Sequence, residues 1–154
     1  MTLDEFKLKT LRMIEEANPE KADRTDDPDI AAKFNDVTNQ VMFELARIKK
    51  IAKYLEMEVT KGMLLTFEDI GKAVGHDIYQ VAMITGVKHD AKANGTVFKI
   101  LEDGTAEIDC YVYPERITDK TEGSYEFELS ADAMEIMPYG VAADLLKSDV
   151  SSNY

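Results

Sequence analysis

The sequence predicts an α+β fold, with N- and C-terminal helices packed as a small bundle and an antiparallel β-module of about five strands inserted between them. Three observations carry the prediction. Apolar residues recur in steps of three and four from Ile30 to Leu55, the spacing of one helix face. From residue 57 the pattern changes to short runs rich in Val, Ile and Tyr, separated by turn residues, which is how strands read. Ser130 then opens a second helical stretch reaching Lys147. Residues 1–56 and 130–147 form the helical base and residues 57–129 the β-insert of one domain, a size that a chain of 154 residues accommodates.

The first helix is expected over residues 3–17. Thr2 and Glu5 have the spacing of a capping box, in which each side chain satisfies a backbone N–H of the first turn. Leu3, Phe6, Leu11 and Ile14 give one apolar stripe, and Asn18-Pro19 stops the helix. The charged stretch 20–27 reads as a connecting loop. The second helix begins after Asp27, a good N-cap, with Pro28 at the first helical position, where a missing N–H costs nothing. Ile30, Phe34, Val37, Val41, Leu45, Ile48, Ala52 and Leu55 continue its stripe to Glu56, a length of roughly 40 Å at 1.5 Å per residue.

The insert reads as strands at 63–67, 78–88, 96–101, 106–113 and 125–129. Residues 68–76, which carry Gly71 and Gly75, read as a loop with a helical turn, and 89–95 as a polar turn. Asp103-Gly104 between apolar runs signals a hairpin. The last helix starts at the N-cap Ser130. Pro138 inside it implies a kink or a break after Ile136, because its ring clashes with the preceding turn. Gly140, Ala142 and Ala143 permit close helix approach, while Val141, Leu145 and Leu146 supply packing.

Composition narrows the function. At 45% hydrophobic and 31% charged, the chain is expected to fold. Eighteen consecutive apolar residues occur nowhere, so no membrane-spanning helix is expected, and residues 1–5 lack the basic and apolar regions of a signal peptide, which points to the cytosol. A net charge of −12 argues against nonspecific nucleic-acid binding, which uses many Lys and Arg, and is compatible with a protein that surrounds DNA without gripping it. Lys49, Lys50 and Lys53 fall on one side of the predicted second helix as a solvated patch. The single cysteine, Cys110, lies in an apolar strand and reads as a buried small hydrophobe.

No catalytic, cofactor-binding or metal-binding residue is assigned, and the chain reads as a non-enzyme. His76-Asp77 and His89-Asp90 pair neighbours that point to opposite faces of a strand, so neither pair is a dyad. Asp23, Asp26, Asp27 and Asp29 lack the glycine and terminal glutamate of a calcium loop and suit a helix N-terminus. Gly71-x-x-x-Gly75 lacks the following Lys-Ser or Lys-Thr of a phosphate loop, and no serine sits in a Gly-x-Ser-x-Gly elbow. Thirty acidic residues offer too many carboxylate pairs for one to be singled out as a hydrolase site. Tyr111 and Tyr113 alternate with Val112 and share one strand face, as packing residues or as a stacking platform for a sugar or peptide.

Three segments resemble the head-to-tail connector, or adaptor, proteins of tailed bacteriophages. They are the N-terminal helical pair with Asp27-Pro28-Asp29 at its second start, the β-insert ending in Tyr111-Val112-Tyr113-Pro114-Glu115-Arg116-Ile117-Thr118, and residues 129–146, which contain Met137-Pro138-Tyr139-Gly140-Val141-Ala142-Ala143-Asp144-Leu145-Leu146. The resemblance spans most of the chain as architecture and about 40 residues as motif. It implies a non-catalytic virion part: a ring of identical copies around the DNA channel, bound to the portal protein on one side and tail-completion proteins on the other, found in the host cytoplasm during assembly. It implies no cofactor, no sequence-specific nucleic acid and no membrane. The alternative reading is a non-enzymatic sugar- or peptide-binding β-module using Tyr79, Tyr111 or Tyr113.

Overall fold

A computed structural model describes residues 1–14, 25 and 27–151, with side chains through Lys147. Among the described residues, four helices and six strands follow one another: α1 (Leu3–Met13), α2 (Pro28–Ile48), β1 (Ile51–Val59), β2 (Leu64–Thr66), α3 (Phe67–Val74), β3 (Ile78–Thr85), β4 (His89–Lys92), a 3₁₀ turn (Ala93–Gly95), β5 (Val97–Ile100), β6 (Gly104–Val112) and α4 (Ala131–Ser151). The fold is α+β, with helices at both ends of the chain and antiparallel strands between them. Two compact units result: Met1–Lys49 with Glu115–Tyr154, and Lys50–Pro114.

In the helical unit, α4 packs against both α1 and α2. The capping box at Thr2 and Glu5 is formed in both directions, at 2.9 and 3.2 Å. Asp27 caps α2 through bonds from the N–H groups of Asp29 and Ile30, with Pro28 at the first helical position. Ser130 caps α4 through the N–H of Ala133. The core joins Leu3, Phe6 and Leu11 of α1, Ile30, Phe34, Val41 and Met42 of α2, and Met137, Val141 and Leu145 of α4. At Gly140, an added Cβ would lie 3.1 Å from the side chain of Val41, so the glycine sets how closely α2 and α4 approach. Of the kink or break expected at Pro138, the break does not occur: the helix continues through it. The predicted extension of α1 to residue 17, the Asn18-Pro19 stop and the aspartates 23 and 26 lie outside the described residues.

Segment 115–130 belongs to this unit, not to the sheet. Residues 125–129, expected as a strand, contribute only an isolated bridge between Glu126 and Thr2. The physical reason is the start of α1, whose first N–H groups have no partner within the helix. Leu3 N–H donates to the Tyr125 carbonyl at 2.8 Å, and Asp4 N–H to the Gly123 carbonyl at 3.0 Å. Phe127 turns its ring edge-on to Phe6 at 5.2 Å. Asn39 of α2, buried, holds the same segment: its Nδ2 donates to the Ile117 carbonyl at 2.9 Å, and its Oδ1 accepts from the Ile117 N–H at 2.7 Å.

The second helix ends at Ile48, short of the expected Glu56, and Ile51 to Glu56 lie in β1 instead. Their burial alternates residue by residue, with Ile51, Lys53, Leu55, Met57 and Val59 turned inward. That row competes in the sequence with the helical spacing of Ile48, Ala52 and Leu55, and nine-residue pairing with β6 decides between them.

The β unit contains two three-stranded antiparallel sheets, ordered β1-β6-β3 and β2-β5-β4. They share one core with α3, centred on Leu65, Ile70, Ile100, Ala106, Ile108, Cys110 and Val112. Residues 68–76, expected as a loop with a helical turn, supply all of α3 (Phe67–Val74) but its first residue, Phe67, expected to end a strand; Thr66 and Asp69 start the helix with a second capping box and left-handed Gly75 ends it. The expected polar turn at 89–95 begins with β4, paired to β5. The Asp103-Gly104 signal is not a hairpin: β5 pairs with β2 and β4, whereas β6 pairs with β1 and β3. There the chain crosses from one sheet to the other, and the Asp103 carboxylate accepts the Lys61 N–H at 2.7 Å.

Candidate functional site

The helical unit's most distinctive surface is on α4. A helix that stabilises only its own domain carries one apolar stripe and a polar back. In α4, one side buries Ala133, Met134, Met137, Val141, Ala142 and Leu145. The other exposes Ile136 at 57%, Tyr139 at 62% and Leu146 at 46%. Ile136, Tyr139, Ala143 and Leu146 follow in steps of three, four and three, the spacing of a helix–helix seam, and Ala143 is also exposed. Acidic Asp132 and Glu135 stand at the N-terminal end of this stripe and Lys147 at the other, all exposed. The Lys9 ammonium of α1 lies 5.9 Å from the Tyr139 ring centre. Beside it, Glu5, Leu8, Lys9, Arg12 and Met13 line a shallow groove of about 410 Å³ on α1. Of the small residues expected to bring helices together, Gly140 and Ala142 serve the domain's own packing, and Ala143 faces outward.

The exposed face of the β1-β6-β3 sheet is acidic. Glu56 stands directly opposite Glu107, and Tyr54 opposite Asp109. Like charges in that arrangement destabilise a sheet. Hydroxyls offset part of the repulsion: Tyr54 donates to Glu56 at 2.8 Å and to Glu107 at 3.4 Å, Thr85 donates to Glu107 at 3.0 Å, and Thr105 donates to Glu58. The bond to Glu56, followed by desolvation and the neighbouring carboxylate charges, pushes the Tyr54 phenol up to about 12 from 10.0. The folded chain thus holds this proton more tightly than the unfolded chain. The resulting stabilisation is complete below pH 10.0 and is lost as the pH rises through about 12. Titration of phenolate absorbance is expected to show Tyr54 ionising late. Tyr54→Phe removes that late step and leaves Tyr125, which burial and then Glu128 also hold up. An unchanged late step in Tyr54→Phe would refute the assignment.

Tyr111 and Tyr113, which alternate with Val112, both meet Tyr79 on the β unit. Tyr79 lies 6.3 Å from Tyr111 and 4.9 Å from Tyr113, and the Lys50 ammonium sits 4.6 Å from the Tyr111 ring centre. Lys50 and Lys53 are therefore not on a helix; Lys53 is in β1. Cys110 is fully buried, and burial pushes its thiol up. His89 donates from Nδ1 to the Val87 carbonyl at 3.1 Å and sets its ring edge-on to Phe98, while His76 lies 3.4 Å from the Val74 carbonyl. Among the described residues, no group of three or more His, Cys, Asp or Glu side chains is arranged to hold a metal ion. No helix of the described residues is long and apolar enough to cross a membrane. The sequence alone does not separate the two faces of α4, although the step pattern from Ile136 to Leu146 is visible in it.

Neither the comparison with models of known protein families nor that with curated proteins finds a match for this chain.

Proposed function

We propose that this chain is a structural protein of tailed-bacteriophage virions. In this reading it joins the portal to the tail as one copy in a ring around the DNA channel, and it does no catalysis. The observation that carries the reading is the doubly apolar α4. One side is covered by α1 and α2, and the other displays Ile136, Tyr139 and Leu146 to solvent. Exposed apolar stripes of this kind belong to chains whose next neighbour is another protein. The segment with the greatest connector resemblance, residues 129–146, supplies this helix. A net charge of −12 suits a ring that lets DNA pass, because gripping phosphates takes clustered Lys and Arg. Assembly then takes place in the host cytoplasm, with the portal and tail-completion proteins as neighbours.

The sugar- or peptide-binding alternative draws no such support. Tyr79, Tyr111 and Tyr113 are only half exposed and stack on one another, and Lys50 covers Tyr111.

Deleting the gene from a phage that carries it tests the proposal. DNA-filled heads and separate tails are expected, joined again when the chain is supplied from a plasmid, and purified wild-type particles should contain it. Normally tailed, infectious particles without the chain would overturn the proposal.

A further inference from the structure

The exposed stripe of α4 needs an occupant, and this same chain presents a surface that matches it. We propose that the α4 stripe of one copy seats antiparallel in the α1 groove of a second copy. The groove has apolar Leu8 and Met13, with the stems of Lys9 and Arg12 beside them. The stripe offers Ile136, Tyr139, Ala143 and Leu146.

Charge fixes the direction. The N-terminal end of α4 carries exposed Asp132 and Glu135, and its far end carries exposed Lys147. On α1 the order is the same: exposed Asp4 and Glu5 come first, and exposed Lys9 and Arg12 last. Antiparallel seating brings Glu135 level with Arg12 and Tyr139 level with Leu8. It also sets the two helix dipoles antiparallel, side by side. Parallel seating would set acids against acids. Pairing α4 with a second α4 would leave the α1 groove open.

Donor and acceptor surfaces differ, so every copy carries one of each and the contact repeats from copy to copy, as a ring requires. This setting rests on the function proposed above; the contact itself does not. A single helix seam falls short of the ~800 Å² per partner of a standard interface, so the contact is weak in free solution and gains strength by closure of many copies.

Cysteine trapping tests it on the full chain. Tyr139→Cys and Leu8→Cys are made as separate proteins, each checked for folding by circular dichroism. Native Cys110 is buried, and wild type serves as the control. Under mild oxidation, the mixed pair is expected to give a cross-linked heterodimer as its main product, ahead of either homodimer. Adding Glu135→Arg to the Tyr139→Cys protein should cut the yield about fivefold, as an ion pair at the rim becomes a repulsion. Adding Arg12→Glu to its Leu8→Cys partner should restore the yield. A dominant Tyr139→Cys homodimer, an equal yield without regard to charge, or no heterodimer above the wild-type background would overturn the proposal. The trap reads only this contact, and the gene deletion reads only the virion role, so failure of one leaves the other standing.

Discussion

Replacing Phe6 with alanine is expected to lower the unfolding free energy of the helical unit by about 3–5 kcal/mol. Phe6 is fully buried in α1. Its ring meets Phe34 of α2 at 5.8 Å and Phe127 of the 115–130 segment at 5.2 Å. One side chain thus joins three pieces of chain that are distant in sequence. Truncation removes the transfer energy of the ring and leaves a cavity that three separate walls must collapse to fill. Phe6→Leu keeps most of the volume and should cost under about 1.5 kcal/mol. Denaturant titration of both variants reads the difference. A loss below about 1 kcal/mol for Phe6→Ala would show that the aromatic cluster does not hold the unit together.

Asn39→Ala is expected to cost about 2–4 kcal/mol, although it removes only a small side chain. The carboxamide serves both polar groups of the Ile117 backbone, accepting from its N–H and donating to its carbonyl. Ile117 is itself buried, so neither group regains water when the amide is lost. Asn39→Asp separates the two bonds. Its carboxylate still accepts the N–H but faces the carbonyl without a proton to donate. Protonation restores the donor, so the folded-state pKa of the new carboxyl is raised. Asn39→Asp should therefore recover stability relative to wild type as the pH falls through the carboxylate range, whereas the deficit of Asn39→Ala should stay flat. A pH-independent deficit in Asn39→Asp would mean that the donated bond carries little weight.

The helix starts were legible because they rest on local chemistry. Thr2 with Glu5, Asp27 with Pro28, and Ser130 each satisfy N–H groups within three residues of themselves. What failed to show was set by distant partners. Ile51 to Glu56 fit both a helical and an alternating pattern, and only pairing with β6, some fifty residues later, resolves them. Tyr125 to Leu129 alternate like a strand, yet the free N–H groups of α1 and the Phe6 ring draw them to the helices. Asp103-Gly104 looks like a hairpin from its neighbours alone, and nothing local reveals that its flanking strands join different sheets. Asn39 lies among polar residues in α2, and its burial follows from the far segment that it holds. The α4 surface was half legible: its apolar content stands in the sequence, but which residues the bundle covers depends on α1 and α2.

The register of β1 with β6 has one more consequence. Ile51, near the first residue of the β unit, stands opposite Val112, near its last. Once these strands pair, Lys49 and Glu115 are tied together as if by a short link, however long the chain between them. Closing a loop costs about 0.6 kcal/mol more for each doubling of its length. Replacing the whole insert by a near-contact removes about five doublings, on the order of 3 kcal/mol of chain entropy. The order of folding follows. If the β unit forms first, the helical unit condenses with its two halves already stapled. Exchanging the insert for a two-residue bridge should then leave that unit able to fold.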